Sequence, residues 1–77
     1  MLEINGITYK PNYFKWGVRT ILVRCESAMR LNDVPRNDIA IEYGLIQQKK
    51  SLLSKRQREM VVKIFEKYFV RVEEENK

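Results

Sequence analysis

The chain has 77 residues, 15 Lys and Arg against 10 Asp and Glu, no histidine and one cysteine. That length allows one domain with a marginal core, and the residue types present exclude both an intrachain disulfide and a structural zinc site. The positive charge sits in the body: residues 1–72 hold 14 Lys and Arg against 7 Asp and Glu, whereas 73–77 (Glu-Glu-Glu-Asn-Lys) reads as an acidic tail that frays.

Leu2-Glu3-Ile4-Asn5-Gly6-Ile7-Thr8-Tyr9 carries a β-hairpin signature. Asn-Gly accepts the two positive φ angles of a type I′ turn, and β-branched residues flank it. Pro11 ends the hairpin, which is too short to stand alone in water and must lean on a neighbour. From Asn12 to Leu31 the spacing predicts a helix with Phe14, Val18, Ile21, Leu22, Cys25, Ala28 and Met29 on its core face. Cys25 on that face is a small apolar group rather than a reactive thiol. On the same wheel Trp16 and Val23 fall opposite the core, with Arg19, Thr20, Ser27 and Arg30 around them.

Asn32-Asp33-Val34-Pro35 breaks this helix, Asp33 being suited to cap the next and Pro35 to its first turn. Ile39, Ala40, Tyr43 and Ile46 continue a helical face through Gln47 and Gln48, with Gly44 either a tolerated defect or a helix end. A loop, Lys49-Lys50-Ser51-Leu52-Leu53, leads to Ser54, which with Gln57 has capping-box spacing. One long helix is then predicted over Leu53–Val72, its apolar arc formed by Met60, Val61, Ile64, Phe65, Tyr68, Phe69 and Val72. The expected fold is mainly α: an N-terminal β-hairpin followed by a three-helix bundle over residues 1–72, its last two helices an αα-hairpin. The broad arc of the last helix leaves room for a homodimer through residues 54–72.

Catalysis fits these residues poorly. General acid–base chemistry lacks its histidine, no Ser-His or Cys-His pair exists, and three isolated glycines form no phosphate loop. Asp38 and Glu42, four residues apart, are better explained as a solvated acidic face than as paired carboxylates. A non-enzymatic protein without metal or cofactor is expected. No run approaches the roughly 20 apolar residues of a membrane span, and Met-Leu-Glu-Ile-Asn-Gly lacks the features of a signal peptide, so a cytoplasmic protein with no membrane partner is expected.

Two surfaces remain as candidates. A tryptophan among arginines has the composition of a protein-binding hot spot, which singles out Trp16, Arg19, Val23 and Arg30; alternatively Ile7 or Tyr9 of the hairpin covers the indole. The second surface is basic: Lys49, Lys50, Lys55, Arg56 and Arg58, with no acid between positions 49 and 58. Ile39-Ala40-Ile41-Glu42-Tyr43-Gly44-Leu45 resembles the core of a helix-turn-helix. That resemblance implies a recognition helix over Ile46–Leu53, with Gln47, Gln48, Lys49 and Lys50 in a major groove. It departs from the pattern in placing Lys50 where the second helix carries an apolar residue. Leu52-Leu53-Ser54-Lys55-Arg56-Gln57-Arg58-Glu59 resembles the opening of DNA-binding domains of sigma-factor region 4 and response-regulator families, in which a helix-turn-helix follows; here one helix follows. In size, basicity and lack of catalytic groups the chain resembles small accessory proteins of phages and mobile elements. The expected function is therefore regulatory binding of a partner protein, and the alternative is a nucleic-acid-binding regulator of transcription or replication.

Overall fold

The computed structural model describes residues 2–12, 15–35 and 38–72. Six elements follow one another: β1 (Leu2–Ile4), β2 (Ile7–Pro11), α1 (Val18–Leu31), α2 (Ile39–Gln47), α3 (Lys55–Tyr68) and β3 (Phe69–Arg71). The strands form one antiparallel sheet in the order β1-β2-β3. Asn5 and Gly6 adopt φ of 52° and 83°, as the hairpin turn demands, and set Ile4 opposite Ile7 and Leu2 opposite Tyr9.

β3 corrects the expected helical bundle. The helix predicted over Leu53–Val72 stops at Tyr68, and Phe69 turns extended (φ −127°, ψ 143°). Its N–H still bonds the Phe65 carbonyl, but the chain then pairs with β2, Pro11 opposite Phe69 and Tyr9 opposite Arg71. Asn12 N–H to the Tyr68 carbonyl (2.7 Å) and Val72 N–H to the Thr8 carbonyl (2.9 Å) close the two ends of this ladder. The hairpin thus gains a third strand, which an isolated two-stranded ribbon needs for stability. Phe69, facing inward with Tyr9 and Ile4, is buried, while Lys10 and Arg71 are exposed. The domain is three helices with a three-stranded sheet drawn from both ends of the described chain.

α1 starts later than its periodicity predicts. Residues 15–17 are not helical, and Gly17 is the N-cap, with no side-chain cap bond. Phe14, assigned to the core face, lies outside the described residues. Ile21, Cys25 and Met29 do form the buried stripe. The helix ends as Asp33 takes a positive φ of 61° and Val34 N–H returns to the Met29 carbonyl at 2.9 Å. Asp33 therefore terminates α1, and the cap of α2 is Asp38, whose Oδ1 accepts from Ala40 N–H at 2.9 Å. Aspartate tolerates the left-handed region, which lets it serve at the earlier position.

α2 runs straight through Gly44. A Cβ at that position would lie 3.1 Å from Ile4 Cγ2, so glycine is what allows β1 to approach the helix. α3 packs against both α1 and α2. Its Phe65 stacks on Tyr43 (4.0 Å between centroids, 18° between planes) and on Phe69 (4.8 Å, 20°), and Tyr9 meets Phe65 edge-on at 5.2 Å. This aromatic cluster joins sheet and helices in one core, with Ile21, Cys25, Met29, Val34, Ile39, Val61 and Ile64 filling the remainder.

The arc of α3 is used internally. Val61, Ile64 and Phe65 are buried, and Met60, Val62 and Tyr68 pack against the core. Among the described residues the exposed large hydrophobics are Val23, Leu31, Ile41 and Leu52, none on α3. With Phe69 and Val72 beyond the end of α3, the apolar arc expected over residues 54–72 is shorter on the helix itself, with Met60, Val62 and Tyr68 half-buried along it.

Candidate functional site

The outer face of α1 is built by the helix's own period. With Ile21, Cys25 and Met29 inward, Arg19, Val23 and Arg30 must project from the opposite side. All three are exposed, Val23 to 57%. Val23, Glu26, Ser27 and Arg30 line a depression there, and Leu31, 83% exposed, ends the same helix. Trp16 differs from its wheel position. The helix begins two residues beyond it, so the indole sits in the preceding turn, half-buried and packed against the core. The guanidinium of Arg24 lies over its ring at 4.1 Å, a cation–π contact. Arg24 was not among the residues singled out from sequence, although its spacing from Arg19 and Arg30 was a usable signal. It makes α1 more basic: three arginines against Glu26.

The basic collar surrounds the α2–α3 connection. Residues 48–54 are not helical, so the segment 46–53 is no recognition helix, and of the two alternatives at Gly44 the helix end is excluded, since α2 continues to Gln47. Gln47 and Gln48, candidate base readers, are engaged within the protein. Asn5 Nδ2 donates to Gln47 Oε1 at 3.0 Å and to the Gly44 carbonyl at 3.2 Å, and Gln48 Nε2 donates to Asn5 Oδ1 at 2.6 Å. Gln47 Nε2 also donates to the Tyr9 hydroxyl at 3.3 Å. The two glutamines clamp the hairpin turn onto the end of α2.

Lys49, Lys50, Lys55 and Arg56 are exposed, whereas Arg58 is half-buried and donates to the Leu53 carbonyl at 2.6 Å. The capping box forms in both directions: Gln57 N–H donates to Ser54 Oγ (3.2 Å), and Ser54 N–H donates to Gln57 Oε1 (3.1 Å). Gln57 Nε2 reaches the Asp33 carbonyl at 3.0 Å, tying the start of α3 to the end of α1. Leu52 stands fully exposed in this loop.

The remaining reactive groups are structural. Cys25 is buried, and burial chiefly, with Glu26 nearby, pushes its thiol up to about 12. Burial first, then Tyr9 and Glu66, pushes Tyr43 up to about 12; its hydroxyl donates to Glu66 Oε2 at 3.3 Å. Neither forms a nucleophile near neutral pH. Asp38 caps α2, while the buried Glu42 accepts from Ser51 Oγ at 3.4 Å, so the two carboxylates serve separate tasks. Among the described residues no group of three or more His, Cys, Asp and Glu could hold a metal ion, and no helix is long and apolar enough to cross a membrane.

No family model matches the chain, nor does any curated protein or solved structure.

Proposed function

We propose that this chain is a small, non-enzymatic regulatory protein that acts by occupying an acidic partner protein with the outer face of α1. The observation that carries this is the exposure of Val23 at the centre of Arg19, Ser27 and Arg30, on a helix whose opposite face is fully committed to the core. An apolar centre ringed by cations, with one acid at its edge, suits a partner that offers a hydrophobic contact framed by carboxylates. Trp16 supports that face from behind, through Arg24, rather than being its anchor. Such a protein would work in a reducing cytoplasm, where Cys25 keeps its thiol.

The test is affinity capture from the organism that encodes the chain, with nuclease treatment and at rising salt. Val23→Asp and Arg30→Glu occupy exposed positions and leave the core untouched. A stoichiometric protein complex that survives nuclease and is lost in both variants is the expected result. A complex indifferent to both substitutions, or dissolved by nuclease, refutes the assignment of this face.

A further inference from the structure

Lys49 holds a backbone conformation that lysine does not favour. It is the residue after the C-cap of α2, with φ of 60°. Its N–H donates to the Ile46 carbonyl at 3.0 Å, and that of Lys50 to the Leu45 carbonyl at 2.8 Å, the paired bonds of a Schellman motif. Glycine normally fills this position, because a Cβ is disfavoured at positive φ. Among the described residues the other non-glycine positive φ angles belong to Asn5 and Asp33, types that tolerate them. Local strain retained in this way is a pointer to use of the side chain.

The surroundings say what that use is. Lys49, Ile46, Ser51 and Arg58 line a recess of about 300 Å³. Its walls are fastened. Ser51 Oγ accepts from Leu53 N–H at 3.2 Å and donates to Glu42 behind it, and Arg58 is anchored by the Leu53 carbonyl with further guanidinium donors remaining. Two cations share the recess, and Lys50, Lys55 and Arg56 are exposed along the same acid-free stretch. The geometry points to a phosphate-binding site that takes the phosphodiester backbone of a nucleic acid, independently of base sequence.

Three alternatives are weaker on the same geometry. A free phosphate would occupy only part of the recess and leave the three outer cations without a task. A bilayer presents a plane of headgroups, which would meet the exposed lysines and the apolar tip of Leu52 but would leave half-buried Arg58, the second cation of the recess, unused. Base reading is disfavoured because Gln47 and Gln48 are bound to Asn5. A strand carries successive phosphates on a narrow ridge, one of which enters the recess while its neighbours meet the outer cations.

Lys49→Gly tests this with little risk to the fold, since glycine relieves the backbone. Binding of short labelled single-stranded and duplex DNA is followed by fluorescence anisotropy across a salt series. The wild type is expected to bind with no preference between scrambled sequences. Lys49→Gly is expected to melt at a higher temperature, bind several-fold more weakly at about 50 mM salt, and lose about one unit of the log–log salt slope. Lys49→Arg, strained but cationic, is expected to retain binding. Absence of DNA binding at low salt, or Lys49→Gly binding as tightly as wild type, overturns the site. Competition by inorganic phosphate, phosphate for phosphate as effective as DNA, overturns the polymer as its ligand. Capture by phosphatidylserine vesicles that depends on Leu52 (lost in Leu52→Ser) and not on Lys49 assigns the loop to a membrane surface and also overturns it.

Discussion

Substituting Gly44 sets a helix preference against a packing constraint. On an open helix face Gly→Ala gains up to about 1 kcal/mol. Here the added methyl would stand 3.1 Å from Ile4 Cγ2, and Ile4 is only 6% exposed. The hairpin cannot simply retreat, because Asn5 is bonded to the Gly44 carbonyl, Gln47 and Gln48 at the same place. Overpacking a fastened contact costs about 1–3 kcal/mol, so Gly44→Ala is expected to lose about 0–2 kcal/mol net and Gly44→Val more. Ile4→Ala alone is expected to cost about 2–4 kcal/mol through its cavity. In the double variant the methyl added on α2 has the vacated space, and the combined loss should fall short of the sum by about 1 kcal/mol or more. Urea unfolding followed by far-UV circular dichroism gives all four corners of this cycle, with equal m-values confirming a common transition. A Gly44→Ala gain of about 1 kcal/mol that adds independently to Ile4→Ala would show that glycine is not required for the approach of β1.

Two further perturbations probe other parts of the frame. Ser54→Ala removes one arm of the capping box at α3 and is expected to cost about 1 kcal/mol, read from the same urea midpoint; no loss would mean that α3 does not depend on its cap. Cys25 and Tyr43 make the domain sensitive to alkali. Their folded pKa values, about 12 each, lie above the ordinary 9.0 and 10.0. The unfolded chain therefore releases these protons first, so their contribution is complete below pH 9 and is lost as pH rises toward 12. Each group costs up to about 1.4 kcal/mol per pH unit in its interval. Cys25→Ala should flatten the part of the urea midpoint profile that starts near pH 9, and a midpoint that rises with pH there would contradict the burial of both groups.

Local chemistry was readable where it was sufficient. Asn5-Gly6 makes its turn from its own φ preferences, and Ser54 with Gln57 makes its box from spacing alone. The buried stripe Ile21, Cys25 and Met29 follows from the helical period. β3 was hidden because Phe65, Phe69 and Val72 continue a helical spacing as convincingly as Phe69-Val70-Arg71-Val72 alternates like a strand. The unpaired edge of β2, at the other end of the described chain, decides between them. Gly44 was ambiguous for the same reason: its partner, Ile4, is distant in sequence. Asp33 and Asp38 are both competent caps, and Pro35 points to the first; what decides for Asp38 is that Asp33 ends α1 at a positive φ, which depends on the backbone and not on residue type alone.

For the candidate surfaces the basic stretch was visible, but the fate of individual side chains was not. Nothing local says that Gln47 and Gln48 grip the hairpin turn, since Asn5 comes from the first strand pair. Nor does composition show that Arg24 covers Trp16. That contact depends on α1 beginning only at Val18, which leaves the indole in a turn.

The sheet also governs when the domain can be completed during synthesis. β2 is central, yet one neighbour precedes it by a two-residue turn and the other, β3, is made after all three helices. Helices and hairpin can form as they leave the ribosome, but one edge of β2 stays without its ladder until Phe69–Arg71 has emerged. Tyr9 and Pro11 take their partners on this edge from Arg71 and Phe69, so the sheet is complete only when the two ends of the described chain are both present. A chain cut back to Tyr68 would keep the residues of all three helices and still leave that edge of β2 open.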